Sequence, residues 1–269
     1  MVAVSSRLIS RPPASPAAPP ASGSGIRARD SRVTVTTGAT PSGTATPRVD
    51  AAAASAPLPL LAAVLVVLPV FGQAPWVRSA PMAAALFTAV LLAAGILLER
   101  HSDRRLAALG PLLVGFSGSW LGGCLFWGWC RLHPLWHLPI EAFALPLAVA
   151  GLSGRWRLAG CFYLASLLGT AATDGAMAIT GVIHLWPEVL QAPLNQAPPL
   201  LQAAALRVLQ PLPLATVCAA AAVLLLISRQ LWSLGGFARV AAATLATTLL
   251  VDGLFLAAAL AAPALTGLL

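Results

Sequence analysis

The sequence has very little charge for its length. Only 9% of its 269 residues are charged, and its sixteen basic residues are all arginine, against eight acidic residues. A typical soluble domain is roughly one-quarter charged. So few charged side chains cannot cover a water-exposed surface for a chain of this length. The scarcity of charge therefore excludes an ordinary soluble protein and indicates that lipid covers much of the surface.

The chain also lacks the common short motifs of catalysis and nucleotide binding. It contains no P-loop, GxGxxG, HExxH or GxSxG sequence. Its four cysteines form no CxxC pair and lie in apolar runs, which is typical of small side chains in helix packing. A net charge of +8 suggests nucleic acid in a soluble protein, but these arginines are scattered between apolar runs. We expect no nucleic-acid partner, and an enzyme is the least favoured class.

What the sequence does contain is long apolar runs, which begin near residue 55. Hydrophobic residues make up 58% of the chain, and a membrane-spanning helix needs about 20 of them in succession. The runs predict seven such helices, near residues 58–74, 80–98, 107–130, 135–153, 158–183, 212–232 and 239–262. The predicted fold is an all-α polytopic membrane protein, with residues 55–269 as its transmembrane domain.

The arginines between these runs predict the orientation. With seven helices, eight arginines fall on the side of the N-terminal segment: Arg48, Arg100, Arg104, Arg105, Arg155, Arg157, Arg229 and Arg239. Only Arg78, Arg131 and Arg207 fall on the opposite side. Positively charged connections stay in the cytoplasm, so the N-terminus is predicted to be cytoplasmic. An error in the number of helices would mix the two groups.

Residues 1–54 have a different composition from the rest of the chain. They are rich in proline, alanine, serine, threonine and arginine, and Asp30 and Asp50 are their only acidic residues. Such a segment cannot bury enough apolar surface to fold alone, so we expect a disordered tail. A targeting segment and an overextended gene start are the alternatives that this composition leaves open.

The longest connection on the far side of the membrane covers residues 184–211. It mixes prolines with a moderately apolar stretch from Leu200 to Leu209. That stretch predicts either a short amphipathic helix at the membrane interface or a packed cap over the helix bundle. The sequence leaves both alternatives open.

The segment HPLWHLPIE, residues 133–141, carries the densest group of polar side chains among the apolar runs. His133, His137 and Glu141 are four residues apart, so one regular helix would place them on one face. Imidazole and carboxylate groups bind metals, which makes these three residues a weak candidate metal or cofactor site. Pro134 fixes its own backbone, so the regular helix is expected to begin near Trp136. The alternatives are interfacial residues in an aromatic belt and a proton site.

Three acidic residues lie inside predicted membrane helices, namely Glu141, Asp174 and Asp252. The topology predicts that Glu141 and Asp174 share a layer in the outer half of the membrane. Asp174 and Asp252 both occur in a T-x3-D-G pattern with Thr170 and Thr248. The threonine is expected to bind its acid, and the glycine to admit a neighbouring helix. One interpretation is a proton or cation relay, and the other is a polar clamp that fixes helix packing.

Two ridges of small residues predict close contacts between helices. Gly118 and Gly122 form a GxxxG step in the third predicted helix, and Ala165, Gly169 and Thr173 form a similar ridge in the fifth. Both ridges are expected to touch a neighbouring helix.

Two tryptophans of the third predicted helix lie on about one face. Trp120 and Trp127 are seven residues apart, which is two helical turns. They either line a groove for a pigment or lipid or belong to the aromatic belt at the membrane interface.

Five segments together resemble one known family. They are PVFGQAPWVR (69–78), GFSGSWLGGCLFWGW (115–129), PLWHLPIEAFALP (134–146), FYLASLLGTAATD (162–174) and LVDGLFLAAAL (250–260). This set resembles the DUF3120 family of uncharacterised integral membrane proteins of cyanobacteria, over roughly residues 57–262. The resemblance implies a plasma or thylakoid membrane. The family has no established function, so the resemblance brings no catalytic residue and no cofactor.

Two functions fit these observations. The favoured one is a non-catalytic protein that binds a cofactor, a lipid or a partner membrane protein, as an assembly or support factor. The alternative is a small transporter in which Glu141, Asp174 and Asp252 form a proton or ion path. The candidate ligand or ion residues are His133, His137, Glu141, Asp174 and Asp252. The identity of any cofactor does not follow from the sequence.

Overall fold

The computed structural model describes residues 57–193 and 195–265, and every regular element in these ranges is a helix. In chain order the helices are α1 (Pro57–Ser79), α2 (Pro81–Glu99), α3 (Arg104–Cys130), α4 (His137–Glu141), α5 (Leu145–Gly151), α6 (Arg157–Ile179), α7 (Trp186–Gln191), α8 (Ala197–Val208), α9 (Pro211–Leu234) and α10 (Gly236–Ala261). The predicted tail, residues 1–54, lies outside the described residues. The prediction of an all-α protein is confirmed.

Six of the described helices are long and apolar enough to cross a membrane, namely α1, α2, α3, α6, α9 and α10. Their outward faces carry large exposed apolar side chains, such as Leu86, Leu212 and Leu234. In water such surfaces would drive aggregation, whereas lipid solvates them. The protein is therefore an integral membrane protein.

The fourth predicted helix, residues 135–153, is not continuous, which corrects the sequence prediction. A 3-10 turn at Pro134–Trp136 leads into α4, and a second turn at Ala142–Ala144 separates α4 from α5. Pro146 lies in the first turn of α5 and cannot donate the backbone hydrogen bond that would join α5 to α4. The α conformation is also disfavoured just before a proline, so the chain breaks there.

The broken segment still has to run back across the bundle, because α3 and α6 are parallel. A Cβ built on Gly115 would lie 2.6 Å from the carbonyl oxygen of Ala159. One built on Gly118 would lie 3.1 Å from the ring of Tyr163. Residue numbers therefore increase in the same direction along both helices. These contacts also confirm that the predicted glycine ridge packs closely against a neighbour.

Hydrogen bonds show the direction of the broken segment. The Ala144 amide donates to the Tyr163 hydroxyl at 3.2 Å, and Thr170 donates to the Glu141 carboxylate at 2.8 Å. Residue numbers fall along the segment while they rise along α6, so the two run antiparallel. The fourth pass is therefore present, but as two short helices joined by a turn.

Helices α6 and α10 are also parallel. Arg157 stacks over the Phe237 ring at 5.5 Å near their first turns. Further along, a Cβ on Gly169 would lie 2.8 Å from Thr248, and this contact confirms the second predicted ridge of small residues. The parallel arrangement places the C-terminal halves of both helices, and the acidic residues that they carry, in the same half of the bundle.

Three of the arginines predicted for the tail side lie at one end of the bundle. Arg155 lies 3.8 Å from the Glu99 carboxylate, and Arg239 stacks on Trp232 at 5.7 Å. Together with Arg157, these contacts join the ends of α2 and α9 to the starts of α6 and α10. The cytoplasmic location of this end stays a prediction.

An aromatic cluster forms the core between α1, α2 and α3. Trp120 is only 3% exposed, and its ring packs against Trp76, Phe87 and Phe116. Its indole nitrogen donates to the Ala84 carbonyl at 2.9 Å. Trp120 is thus a core residue, and both sequence interpretations of it, groove and belt, are wrong.

One buried amide fixes α1 against α3. Gln73 is 2% exposed, and its Nε2 donates to the Trp120 carbonyl and lies 2.9 Å from the Cys124 sulfur. A buried amide is costly unless it is hydrogen-bonded, so these partners hold the π-helical turn of α1, Pro69–Gln73, in register with α3.

The far-side connection contains two short helices, α7 and α8. Leu201 and Ala205 of α8 are buried together with Val189 of α7 and Ala259 of α10. The predicted stretch at Leu200–Leu209 is therefore helical, and it packs as a cap on the end of α10.

Candidate functional site

A histidine between two carboxylates lies where the broken segment meets α6. His137 Nε2 is 3.2 Å from a Glu141 carboxylate oxygen, and His137 Nδ1 is 3.0 Å from an Asp174 carboxylate oxygen. Their side chains are only 16–21% exposed. One turn of α4 places His137 and Glu141 on the same face, and α6 supplies Asp174 from the opposite side. We call these three residues the acid–histidine triad.

The His137 imidazole can donate to both carboxylates at once. An ionised carboxylate only accepts hydrogen bonds, so an imidazole with a proton on each nitrogen satisfies both nitrogen-to-oxygen contacts.

Neighbouring side chains hold the triad in place. The Phe126 ring lies 4.1 Å from the His137 ring, centroid to centroid, with an angle of 32° between the planes. Thr170 donates to the second oxygen of the Glu141 carboxylate at 2.8 Å. Glu141 therefore has a partner on each carboxylate oxygen, and the imidazole is stacked as well as hydrogen-bonded.

The single tyrosine of the chain satisfies the break between α4 and α5. The Tyr163 hydroxyl donates to the Glu141 backbone carbonyl and accepts from the Ala144 amide. These backbone groups lose their regular α-helical partners at the 3-10 turn. Inside lipid there is no water to replace those partners. Tyr163 thus positions the residue that carries one acid of the triad.

Asp252 of α10 lies next to the triad, against Thr173 of α6. Thr173 Oγ1 donates to Asp252 Oδ2 at 2.6 Å, and Thr173 is the residue just before Asp174. Asp252 is therefore linked to the triad through adjacent residues of α6. It lies nine residues before the end of α10, which is roughly 14 Å along the helix axis.

The T-x3-D-G pattern does not work as predicted. Thr170 donates to Glu141 rather than to Asp174, and Thr248 donates to the Thr244 carbonyl at 3.1 Å. A Cβ on Gly175 or Gly253 would meet no atom within 4 Å, so neither glycine admits a neighbouring helix. The threonine of each pattern instead faces a neighbouring element.

The structure brings together three of the five predicted site residues and leaves one apart. His137, Glu141 and Asp174 form the triad, and Asp252 lies next to it. His133 lies before the 3-10 turn and outside the regular helix, as the position of Pro134 predicted. It is exposed, and its side chain makes no hydrogen bond or ion pair with the described residues.

The triad does not form a metal-binding arrangement. Among residues 57–193 and 195–265, no group of three or more histidine, cysteine, aspartate or glutamate side chains could hold a metal ion. The two imidazole nitrogens of His137 point at different carboxylates, so the donor atoms do not converge on one point.

An apolar cleft opens beside Asp252. Its volume is about 570 Å³, and it lies between α6, α8, α9 and α10, with α7 at its edge. Thr173, Trp186, Leu201, Leu224 and Phe255 are among its lining residues. Asp252 is the one acidic or basic side chain among the described residues that line it. We call this cavity the Asp252 cleft.

A second cavity of about 520 Å³ lies between α2, α3, the broken segment and α6. Tyr163 and Trp156 lie in its wall, and none of its described lining residues is acidic or basic. The second cavity has no charged group to anchor a ligand, so the Asp252 cleft is the better candidate for a functional site.

The sequence interpretation missed Tyr163 and the role of Thr173 as a partner of Asp252. The signal for Tyr163 was available, since a lone tyrosine in an apolar helix usually places its hydroxyl on a polar partner. The signal for Thr173 was weaker, because its pairing with Asp252 depends on the register of two helices that are distant in sequence.

Comparison with known proteins gives one match. The model of a family described as "Protein of unknown function (DUF3120)" matches residues 62–260. No curated protein and no solved structure matches the chain.

Proposed function

The chain belongs to the DUF3120 family, and from that premise we propose that it is a membrane-embedded binding protein that holds a small apolar or amphiphilic molecule in the Asp252 cleft. The proposal places it in a plasma or thylakoid membrane, where the bound molecule is a lipid or cofactor. Its role is to hold that molecule, in support of other membrane components, rather than to transform it.

The observation that carries this proposal is the shape and lining of the cleft. Its volume of about 570 Å³ falls within the range of about 300–1,000 Å³ that is usual for small-molecule sites. Such sites are mostly apolar with a few polar groups that orient the ligand. The wall of this cleft has that composition, with Asp252 and Thr173 as the polar groups.

The cap makes the cleft more than a groove on the lipid-facing surface. Helix α8 contributes Leu201, Ala204 and Ala205 to the lining, and the same residues are buried in the packing of the cap. An occupant is therefore enclosed by protein on this side. That enclosure favours a bound molecule over a lipid chain that exchanges freely with the bilayer.

Filling the cleft is expected to displace the bound molecule. Gly253 lines the cleft, and a Cβ there meets no atom within 4 Å, so Gly253→Leu starts a large side chain from an open position in the cleft wall. We expect the variant, purified from its native membrane, to carry about a tenth or less of the wild-type amount of the bound molecule. Native mass spectrometry in mild detergent, followed by organic extraction, measures that amount.

The matched control is Gly175→Leu. Gly175 also follows an aspartate in a T-x3-D-G pattern and also has open space around its Cβ, but it does not line the cleft. This control should keep the wild-type occupancy. A wild-type protein without any bound molecule, or equal occupancy in both variants, would contradict the proposed function.

A second candidate function is a proton path, and the acid–histidine triad favours it. Two carboxylates lie 3.2 and 3.0 Å from the nitrogens of one imidazole, and Asp252 of α10 is bound by Thr173, the residue before Asp174. Intramembrane ionisable groups of this kind often mark proton relays. This function requires net proton movement, which a pH-sensitive dye inside proteoliposomes detects. If the protein only binds a ligand, its proteoliposomes show the same proton leak as vesicles without protein.

A further inference from the structure

We propose that the Asp252 cleft selects a cationic amphiphile, meaning a molecule with an apolar body and one positively charged group held by Asp252. This inference rests on the proposed binding function and names the class of ligand. It assigns Asp252 as the residue that sets the charge preference and the rest of the cleft as the surface that binds the apolar body.

The hydrogen bonds of Asp252 leave part of its carboxylate available to a ligand. Thr173 donates to Oδ2 at 2.6 Å, and Oδ1 has no hydrogen-bond partner in the described part of the chain. The Thr173 hydroxyl fixes the carboxylate orientation from the side of α6. The second oxygen is left as an acceptor in the wall of an apolar cavity.

Within the described lining, the protein supplies no positive charge to this carboxylate. None of the lining residues is arginine, lysine or histidine. The imidazole of the triad, His137, uses both ring nitrogens for Glu141 and Asp174. An ionised carboxylate in an apolar surrounding is costly, so the group takes up a proton unless a positive charge accompanies it. A ligand with a cationic group supplies the missing charge.

The neighbouring triad strengthens the preference for positive charge. It contains two acidic side chains and one imidazole, and Asp174 belongs to the same helix turn as Thr173. An anionic ligand would therefore meet negative charge both in the cleft wall and behind it. The apolar lining, which includes the rings of Trp186 and Phe255, suits a hydrophobic body next to the charged group.

Three probes of nearly equal shape and different charge test this inference. They are tetraphenylphosphonium, which is cationic, tetraphenylsilane, which is neutral, and tetraphenylborate, which is anionic. Equilibrium dialysis of the full chain in mild non-ionic detergent measures binding of radiolabelled phosphonium, and the other two serve as competitors. We expect the wild type to bind the cation about tenfold or more tightly than the neutral probe and to reject the anion.

Two substitutions locate the charge preference. Asp252→Asn keeps the size of the side chain and is expected to remove the tenfold preference for the cation. Glu188→Gln makes the same charge change at an exposed position of α7 and is expected to keep the preference. Gly253→Leu is expected to abolish binding of the cation and of the neutral probe, because it fills the cleft.

The outcomes separate the inference from the proposed function. Equal binding of the cation and the neutral probe, or an unchanged preference in Asp252→Asn, overturns the inference while the cleft stays a binding site. Cation binding that survives in Gly253→Leu places the site elsewhere and also overturns it. If none of the probes binds the wild type while a native molecule is lost from Gly253→Leu, the ligand class is wrong and the binding function holds.

Discussion

Replacing Gly110 with alanine is expected to lower the stability of the helix bundle strongly. A Cβ built on Gly110 would lie 2.4 Å from the Glu99 backbone nitrogen and 2.5 Å from the Gly95 carbonyl oxygen. These atoms belong to the backbone of α2, so a side chain cannot rotate away to make room. Helix α2 would have to separate from α3 along this contact.

The expected loss of unfolding free energy is about 2 kcal/mol or more. Overpacking costs about 1–3 kcal/mol where side chains can adjust, and more where they cannot. Alanine regains at most about 1 kcal/mol through its higher helix propensity. Thermal unfolding and denaturant titration in mild detergent measure the difference.

The control for Gly110→Ala is Gly175→Ala. Gly175 lies inside α6 with no atom within 4 Å of an added Cβ, so the helix-propensity gain is the main effect. This variant is expected to be as stable as the wild type or slightly more stable. If Gly110→Ala were as stable as Gly175→Ala, the close packing of α2 on α3 would be wrong.

Replacing His137 with leucine is expected to destabilise the protein by about 2–4 kcal/mol, because breaking a buried charge pair leaves its partners uncompensated. Glu141 and Asp174 each lose the donor between them, at 3.2 and 3.0 Å from the imidazole nitrogens. The stacking on Phe126 is lost as well. The midpoint of thermal unfolding in mild detergent measures this loss.

A matched control and a rescue make the prediction specific. His133→Leu changes the same residue type at an exposed position outside the triad and is expected to have little effect. Adding Glu141→Gln and Asp174→Asn to His137→Leu removes the uncompensated carboxylates, so part of the lost stability should return. Equal stability of His137→Leu and His133→Leu would show that the triad does not hold the broken segment.

The positions of the long helices followed from the sequence because membrane crossing depends on length and hydropathy. These properties are local, so the apolar runs predicted the six long helices, whereas the fourth of the seven predicted helices is broken into two short ones. Three of the arginines predicted to share one side, Arg155, Arg157 and Arg239, do lie at one end of the bundle.

The layer of polar side chains was also predictable in part. An acid or histidine in a membrane needs a polar neighbour, so Glu141 and Asp174 were expected to share a layer. Which side chain each acidic residue binds was not predictable. Thr170 binds Glu141 instead of its own aspartate because the broken segment packs on that face of α6. Such a contact depends on the register between helices, and a hydropathy pattern does not predict that register.

The aromatic residues show the same limit. Trp120 was interpreted from its position within one helix, whereas its burial results from Trp76 of α1 and Phe87 of α2 meeting at the same place. The Asp252 cleft has the same origin, since its walls come from four different helices. Cavities arise from imperfect packing between helices, and a pattern within one helix does not report them.

The most direct test of the binding function is a crystal structure of the protein purified from its native membrane and grown in a lipidic mesophase. We expect continuous density for one molecule in the Asp252 cleft, with a polar or charged atom within about 3 Å of the Asp252 carboxylate. A cleft closed by its own side chains, or one filled only by fragments of lipid chains that leave Asp252 without a partner, would contradict the account.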